Sequence, residues 1–383
     1  MKFEPRWPLA HWSARAQFFV LGTLFGSWGA HIPSVKAHYR LDEAELALAL
    51  LLVAAGAVVC LTMAGAAVSR FGPRRVVLAA GLGSCLLLAA ALWPTSFALV
   101  LPLLALYGGM TALFDVAMNS EGVQLEEVSG KKVMSGLHAM FSLGGMAGAA
   151  VCALLIAQGM APTLQLGALT LAAALLLVVV NGWMLPFTPQ APSERTHYTW
   201  PRGTLALLGL LAAVALLAEG VMYDWSVLFL HTQAHASAAL AALGYASFAA
   251  AMACARLCGD WLRERVASGL LLSGSAVMAA VAMMLALAVP QTWVVLPCFA
   301  LVGVGLANMV PILFIAAAKV PGVAPATGIA AASSLGYLGF LVGPPLVGAI
   351  AHASSLRWAM GVVVLASLLL VFGARLLGRI GQG

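Results

Sequence analysis

An all-α membrane protein, with twelve transmembrane helices in two pseudo-symmetric six-helix bundles, is the fold class that three observations predict. The 383 residues are 63% hydrophobic and 8% charged, whereas a soluble surface usually needs about a quarter of residues charged. Apolar runs of about 20 residues, the length of a bilayer-spanning helix, recur along the chain. They lack the alternation of an outer-membrane barrel. A single long polar break between runs, 187–203 (PFTPQAPSERTHYTWPR), divides them six and six.

The spans are drawn over 13–33, 43–68, 75–94, 97–121, 133–157 and 165–186, then 204–230, 237–260, 267–289, 292–317, 324–351 and 357–377. This gives an N-terminal bundle over 1–186, a cytoplasmic linker over 187–203 and a C-terminal bundle over 204–383. The first run follows Lys2, Glu4, Arg6 and Arg15 with no small-residue cleavage site after it, so it is read as a retained span. Basic residues orient the rest. With the N-terminus in the cytoplasm, sixteen Lys and Arg fall on the cytoplasmic side, leaving only Lys36, Arg40 and Arg357 opposite. The pI of about 9.2 is thereby explained by topology, without nucleic-acid binding. The six cysteines fall within apolar runs and are read as small core residues. Cys254 and Cys258 have helical i,i+4 spacing, but no His or further Cys accompanies them as a metal set would require. Glycines of span 5 (Gly144, Gly145, Gly148) and span 11 (Gly336, Gly339, Gly343, Gly348) permit close helix packing. Pro344-Pro345 is expected to kink or weaken span 11.

The halves repeat weakly. Ser27-Trp28 in span 1 matches Asp224-Trp225 in span 7. Ser142-Leu-Gly144 in span 5 matches Ser334-Leu-Gly336 in span 11, and the basic loop after span 2 matches Arg256–Arg265 after span 8. Two repeated six-span halves around a central loop form a transporter architecture.

Acidic residues inside the runs are the main functional signal, because a charge at bilayer depth costs about 3 kcal/mol or more unless it is paired, protonated or wet. Glu219, near the middle of span 7, is the foremost candidate for proton coupling or substrate contact. Its alternative is a protonated Glu bonded to a helix carbonyl. Asp115 in span 4 and His138 in span 5 reach similar depth and would make a proton relay, unless Asp115 only ties its helix to a neighbour. Asn119, one turn on, shares its face. Asp224 lies nearer the periplasmic end, where His31 is its expected gate partner. Trp28, Tyr223 and Tyr337 could stack on a ring, or could simply pack or anchor. Ser142 and Asn308 are further polar substrate-binding candidates, and Asn308 could equally join two helices. Arg70, Arg74, Arg256, Glu264 and Arg265 are read as gating residues at the cytoplasmic ends. For Arg256, snorkelling is favoured over ligand contact.

These strings resemble the major facilitator superfamily over the whole chain. The loop after span 2 is similar to the family motif G-x-x-x-D-R-x-G-R-R through Gly65, Arg70, Gly72, Arg74 and Arg75. Ser69 replaces the Asp that helps to latch the cytoplasmic gate in the family. Further strings resemble YbjJ-like inner-membrane proteins near the fucose permease group: Phe114–Asn119, Ser135–Gly145, Glu219–Ser226 and Gly336–Pro345. Within Gly29–Pro33, His31 stands where that branch leads one to expect Arg.

The resemblance implies alternating-access secondary transport in the inner (plasma) membrane, with both termini cytoplasmic. The expected activity is proton-coupled symport of a small polar solute, a sugar or sugar-like acid. The alternative is a proton antiporter exporting drugs or amphipathic metabolites. Against it, the Gly-Pro signature that such antiporters carry in span 5 is missing there. No P-loop lysine or metal cluster points to an enzyme. The expected partners are the solute, protons and the bilayer, acting on a monomer without cofactor, metal or nucleic acid.

Overall fold

In the computed structural model, residues 7–131, 133–186, 202–321, 323 and 325–380 are described. The linker expected over 187–203 therefore lies almost wholly outside the described residues. So do Lys2, Arg6, Lys132 and Arg195 of the orientation count, and the side chain of Arg379. Every long element among the described residues is helical. The first set is α1 (Trp7–Tyr39), α2 (Glu43–Phe71), α3 (Pro73–Ala89), α4 (Phe97–Ser129), α5 (Met134–Ala157) and α6 (Pro162–Asn181). The second comprises α7 (Thr204–Thr232), α8 (Ala238–Leu257), α9 (Gly259–Arg265), α10 (Ser268–Ala288), α11 (Thr292–Leu306), α12 (Met309–Ala318), α13 (Pro325–Gly336), α14 (Leu338–Ala353), α15 (Leu356–Ala359) and α16 (Gly361–Ile380).

Eleven helical stretches among the described residues are long and apolar enough to cross a bilayer. The 33-residue α1 is long enough but more polar. Its polar residues point inward: Ser13, Gln17 and His31 are fully buried and Ser27 nearly so. Ser13 donates to the Val180 carbonyl at 2.8 Å, and Gln17 donates to Ser13 at 2.9 Å.

Local sequence sets the helix ends. Asp42 and Glu45 form a reciprocal capping box at the start of α2, with N–H···O distances of 3.0 and 2.8 Å. Pro73 and Pro162 begin α3 and α6, where a missing N–H costs nothing. Gly130 closes α4 at φ +66°. The Glu126 carboxylate then accepts the N–H groups of Val133 and Met134 at 2.7 and 3.1 Å, capping α5.

The chain forms two compact units, Met1–Leu41 with Leu48–Ala191, and Asp42–Ala47 with Pro192–Gly383. In the first, glycines let α1 and α5 touch at backbone distance. A Cβ at Gly22 would strike the Phe141 carbonyl, one at Gly26 the Gly145 carbonyl, and one at Gly144 the Phe19 carbonyl. In the second, Gly339 of α14 lies against the Ala213 carbonyl of α7, and Gly220 of α7 lies against the Phe340 ring. Helix α7 also packs against α8, α12, α13 and α16.

Two expectations change. Helix α14 runs through Pro344-Pro345, and the interruption of span 11 falls at Tyr337 instead. Cys85, Cys152 and Cys298 are buried, but Cys254 and Cys258 are exposed at the end of α8 rather than in the core.

Candidate functional site

The site grows from a break in the tenth span. Pro311 has no N–H, so the Ala307 carbonyl loses its helical partner. The helix divides there into α11 and α12, and Asn308 precedes α12 with φ −104° and ψ 0°. Arg256, at the end of α8, donates from Nε to the freed Ala307 carbonyl at 3.3 Å. A cation suits this position, because a helix C-terminus carries partial negative charge. Asn308 donates in return from Nδ2 to the Ala255 carbonyl at 3.3 Å, and its side chain fills the space beside Gly259.

Held at its Nε, Arg256 reaches α7 with its other end. Nη2 donates to Glu219 Oε1 at 3.0 Å. The Tyr223 hydroxyl, one turn along α7, donates to the same oxygen at 3.1 Å and lies 3.5 Å from the Met252 sulfur. The Tyr223 ring is flanked by Tyr245 at 5.3 Å and by Phe248, edge-on, at 5.2 Å. The Glu219 side chain is 7% exposed and that of Arg256 21%. Removing one member of such a buried pair costs about 3 to 5 kcal/mol, because the other charge is stranded. Arg256 is therefore a structural partner of Glu219 rather than a snorkelling residue. The carboxylate is satisfied by a guanidinium and a phenol, not by the helix carbonyl that the sequence left as an alternative. Chemically, the cluster stores one carboxylate against one guanidinium. A proton on Glu219 would end the ion pair and free Arg256 for another anion.

The first unit holds its candidates differently. Asp115 Oδ1 accepts from Asn119 Nδ2 at 3.1 Å, and the same amide donates to the Asp115 carbonyl at 2.8 Å. His138 sets its ring edge-on to Phe18 at 5.3 Å. In place of the expected Asp115–His138 pair, Asp115 is bonded within α4, to its i,i+4 neighbour Asn119. Ser142 is buried and donates to the His138 carbonyl at 3.4 Å. Trp28 is 5% exposed and packs against Tyr107 at 6.0 Å. His31 donates from Nδ1 to the Ser27 carbonyl at 2.9 Å, and its Nε2 has no partner among the described residues.

In the second unit Asp224 is half-buried, with no hydrogen bond or ion pair among the described residues. Tyr337 is 44% exposed at the α13–α14 junction. Glu264 and Arg265 stand 4.0 Å apart with side chains 78% and 54% exposed, a geometry that contributes little energy. Arg70 and Arg74 are exposed, and the Ser69 hydroxyl donates to the Gly65 carbonyl of its own helix at 2.9 Å.

One acid escaped the sequence reading. Glu121 is 1% exposed and accepts the Leu185 N–H at 2.9 Å, tying α4 to the chain beyond α6. It sat at the drawn end of span 4 and was not among the candidates, whereas α4 continues to Ser129. The run Asn119-Ser-Glu121 was the available signal.

The sequence matches the family description Major Facilitator Superfamily over residues 16–324. An uncharacterised MFS-type transporter of Yersinia pestis is 34% identical over 367 residues, covering 96% of this chain and 95% of the relative. Among solved structures, the nucleoside transporter NupG superposes with a TM-score of 0.78 at 12% identity, over 96% of this chain and 99% of the other. The D-xylose–proton symporter gives 0.77 at 13%, over 96% and 97%. The E. coli fucose:proton symporter gives 0.64 at 15%, over 97% and 99%. These likenesses carry the fold.

Proposed function

Since the chain belongs to the Major Facilitator Superfamily, a family of transporters and not enzymes, we propose that it is a proton-coupled symporter of a small polar solute, a sugar or sugar-like acid, working by alternating access in the inner membrane. The observation that carries this reading is the Glu219–Arg256–Tyr223 cluster. A proton taken up by Glu219 removes the partner of Arg256. The guanidinium is then open to a carboxylate or hydroxyl of the solute, and the tyrosine hydroxyl is released to bond it. Proton and solute each stabilise the state the other needs, which is reciprocal coupling. For an acidic solute the exchange also keeps the buried charge balanced.

Asp115, His138 and Asp224 are secondary proton-carrying candidates. Trp28, Asn119, Ser142, Asn308 and Tyr337 are candidates for solute contact, and His31, Arg70, Arg74, Glu264 and Arg265 for gating. The fold likeness to xylose and fucose proton symporters supports symport, and the quoted strings support a place in the YbjJ-like branch. The protein works as a monomer with both termini in the cytoplasm.

The test has two stages. A thermal-shift screen of the purified protein against sugars, sugar acids and nucleosides finds the solute through binding-induced stabilisation. Uptake into proteoliposomes is then measured with and without an inward proton gradient. Gradient-driven accumulation abolished by a protonophore is expected. Accumulation equal in both conditions overturns proton coupling.

A further inference from the structure

A cavity of about 450 Å³ opens in the first unit where α2 ends, α3 begins and α6 ends. Arg70, Arg74 and Arg75 line it, with Phe71 and Leu78 giving an apolar wall and Asn181 on the far side. All three arginines are exposed, and none makes a salt bridge among the described residues. Arg70 leans on the Phe71 ring at 5.2 Å. Glu121, an acid buried at the α6 end of the unit, already accepts the Leu185 N–H. Asn181 is 7% exposed and its Oδ1 has no hydrogen-bond partner among the described residues, so a buried acceptor at the cavity wall is left for a donor on the ligand. Helix α3 starts at Pro73 without a side-chain cap, so the N–H groups of its first turn add to the positive field. The mouth lies at a helix end, with Phe71 half exposed and Trp183 39% exposed nearby in sequence to the Asn181 end of α6, a composition suited to the headgroup level.

We propose that this cavity binds a phosphate-bearing anion, with the arginines on the phosphate oxygens, Asn181 Oδ1 accepting from a hydroxyl of the headgroup, and the Phe71–Leu78 wall beside the ligand's apolar part. Arginine forks match phosphate geometry. Basic pockets between transmembrane helices take anionic lipid headgroups in this way. The site is separate from the Glu219 cluster, which belongs to the other unit, and it does not depend on the transported solute.

The test uses full-length protein, delipidated in detergent, with phosphatidylglycerol, phosphatidylcholine, glycerol 3-phosphate and inorganic phosphate as probes. Native mass spectrometry counts retained adducts, and thermal shift reads affinity. Phosphatidylglycerol is expected to bind in preference to phosphatidylcholine. Combined Arg74→Gln and Arg75→Gln should weaken it by about tenfold or more. Arg75→Lys should keep most of the affinity, and Lys319→Gln, a basic change outside the cavity, all of it. Asn181→Leu should weaken binding while leaving the charge unchanged. Stabilisation by glycerol 3-phosphate or inorganic phosphate, lost in the double variant, assigns the site to soluble phosphates. Response to phosphatidylglycerol alone assigns it to lipid. Equal binding of phosphatidylcholine, or unchanged phosphatidylglycerol binding by a double variant that keeps wild-type helicity and monodispersity, overturns the proposal. If the double variant does not fold, Arg75→Gln and Asn181→Leu are read singly against the same criteria.

Discussion

Glu219 in the second unit and Asp115 in the first are both carboxylates on long apolar helices, yet their partners differ in kind. Glu219 is bonded across a helix interface, to Arg256 of α8, and along its own helix to Tyr223. Among the described residues, Asp115 bonds only to Asn119, one turn away on α4. A cross-helix ion pair resists movement of one helix against the other and is sensitive to a single proton. A bond inside one helix ties no second helix, so a proton that weakens it leaves helix–helix contact unchanged. On the proposed reading, the second unit holds a device in which protonation changes helix–helix contact, and the first holds a locally satisfied polar group.

The sharpest way to break this contrast is Arg256→Leu. It strands Glu219 in a buried site and frees the Ala307 carbonyl, so a loss of about 3 kcal/mol or more in stability is expected, with uptake abolished. Thermal melting in detergent and proteoliposome uptake check both. Adding Glu219→Gln to that variant should restore much of the stability and none of the gradient-driven transport. Recovered transport would mean that the pair is only structural.

Next in size is Glu219→Gln alone. Accumulation driven by a proton gradient should be lost, while solute exchange across a membrane without a gradient persists. A variant that still concentrates solute would remove Glu219 from the coupling step. Tyr223→Phe deletes one hydrogen bond to a charged oxygen, worth about 1.5 to 3 kcal/mol. Gradient-driven uptake should fall by about tenfold, read as initial rates. The smallest effect is expected for Asp115→Asn, a few-fold at most in the same assay, because the amide can keep the contact with Asn119. Loss of uptake as complete as in Glu219→Gln would erase the difference between the two units.

Some of this arrangement was legible in the residues. Glu219 stood out because an acid in a long apolar run needs a compensating partner. The glycines of spans 5 and 11 announced close packing, and Gly144 and Gly148 lie at backbone distance from α1 and Gly339 from α7. The role of Arg256 was not legible. It is 37 residues from Glu219, and its position at a helix end read as snorkelling. The meaning of Pro311 was also hidden, since a proline in a span says that a carbonyl is freed but not what takes it. Glu121 escaped because the fourth span, drawn from hydropathy, stops where charge resumes, while α4 continues to Ser129; Asn181 lay inside its drawn span with nothing to mark it.

By itself the sequence determined that this chain crosses a bilayer many times, through sparse charge and long apolar runs. It also fixed where individual helices start and stop, through Pro73, Pro162, Gly130 and the Asp42–Glu45 box. These are properties of composition and of neighbours within a turn. Only the tertiary structure decided which carboxylate meets a cation, which carbonyl Arg256 takes up, and which arginines are left facing a cavity. A charge inside an apolar run announces that it needs a partner, but distance along the chain carries no information on which helix will supply it. The packing of α7 against α8 and α12 does.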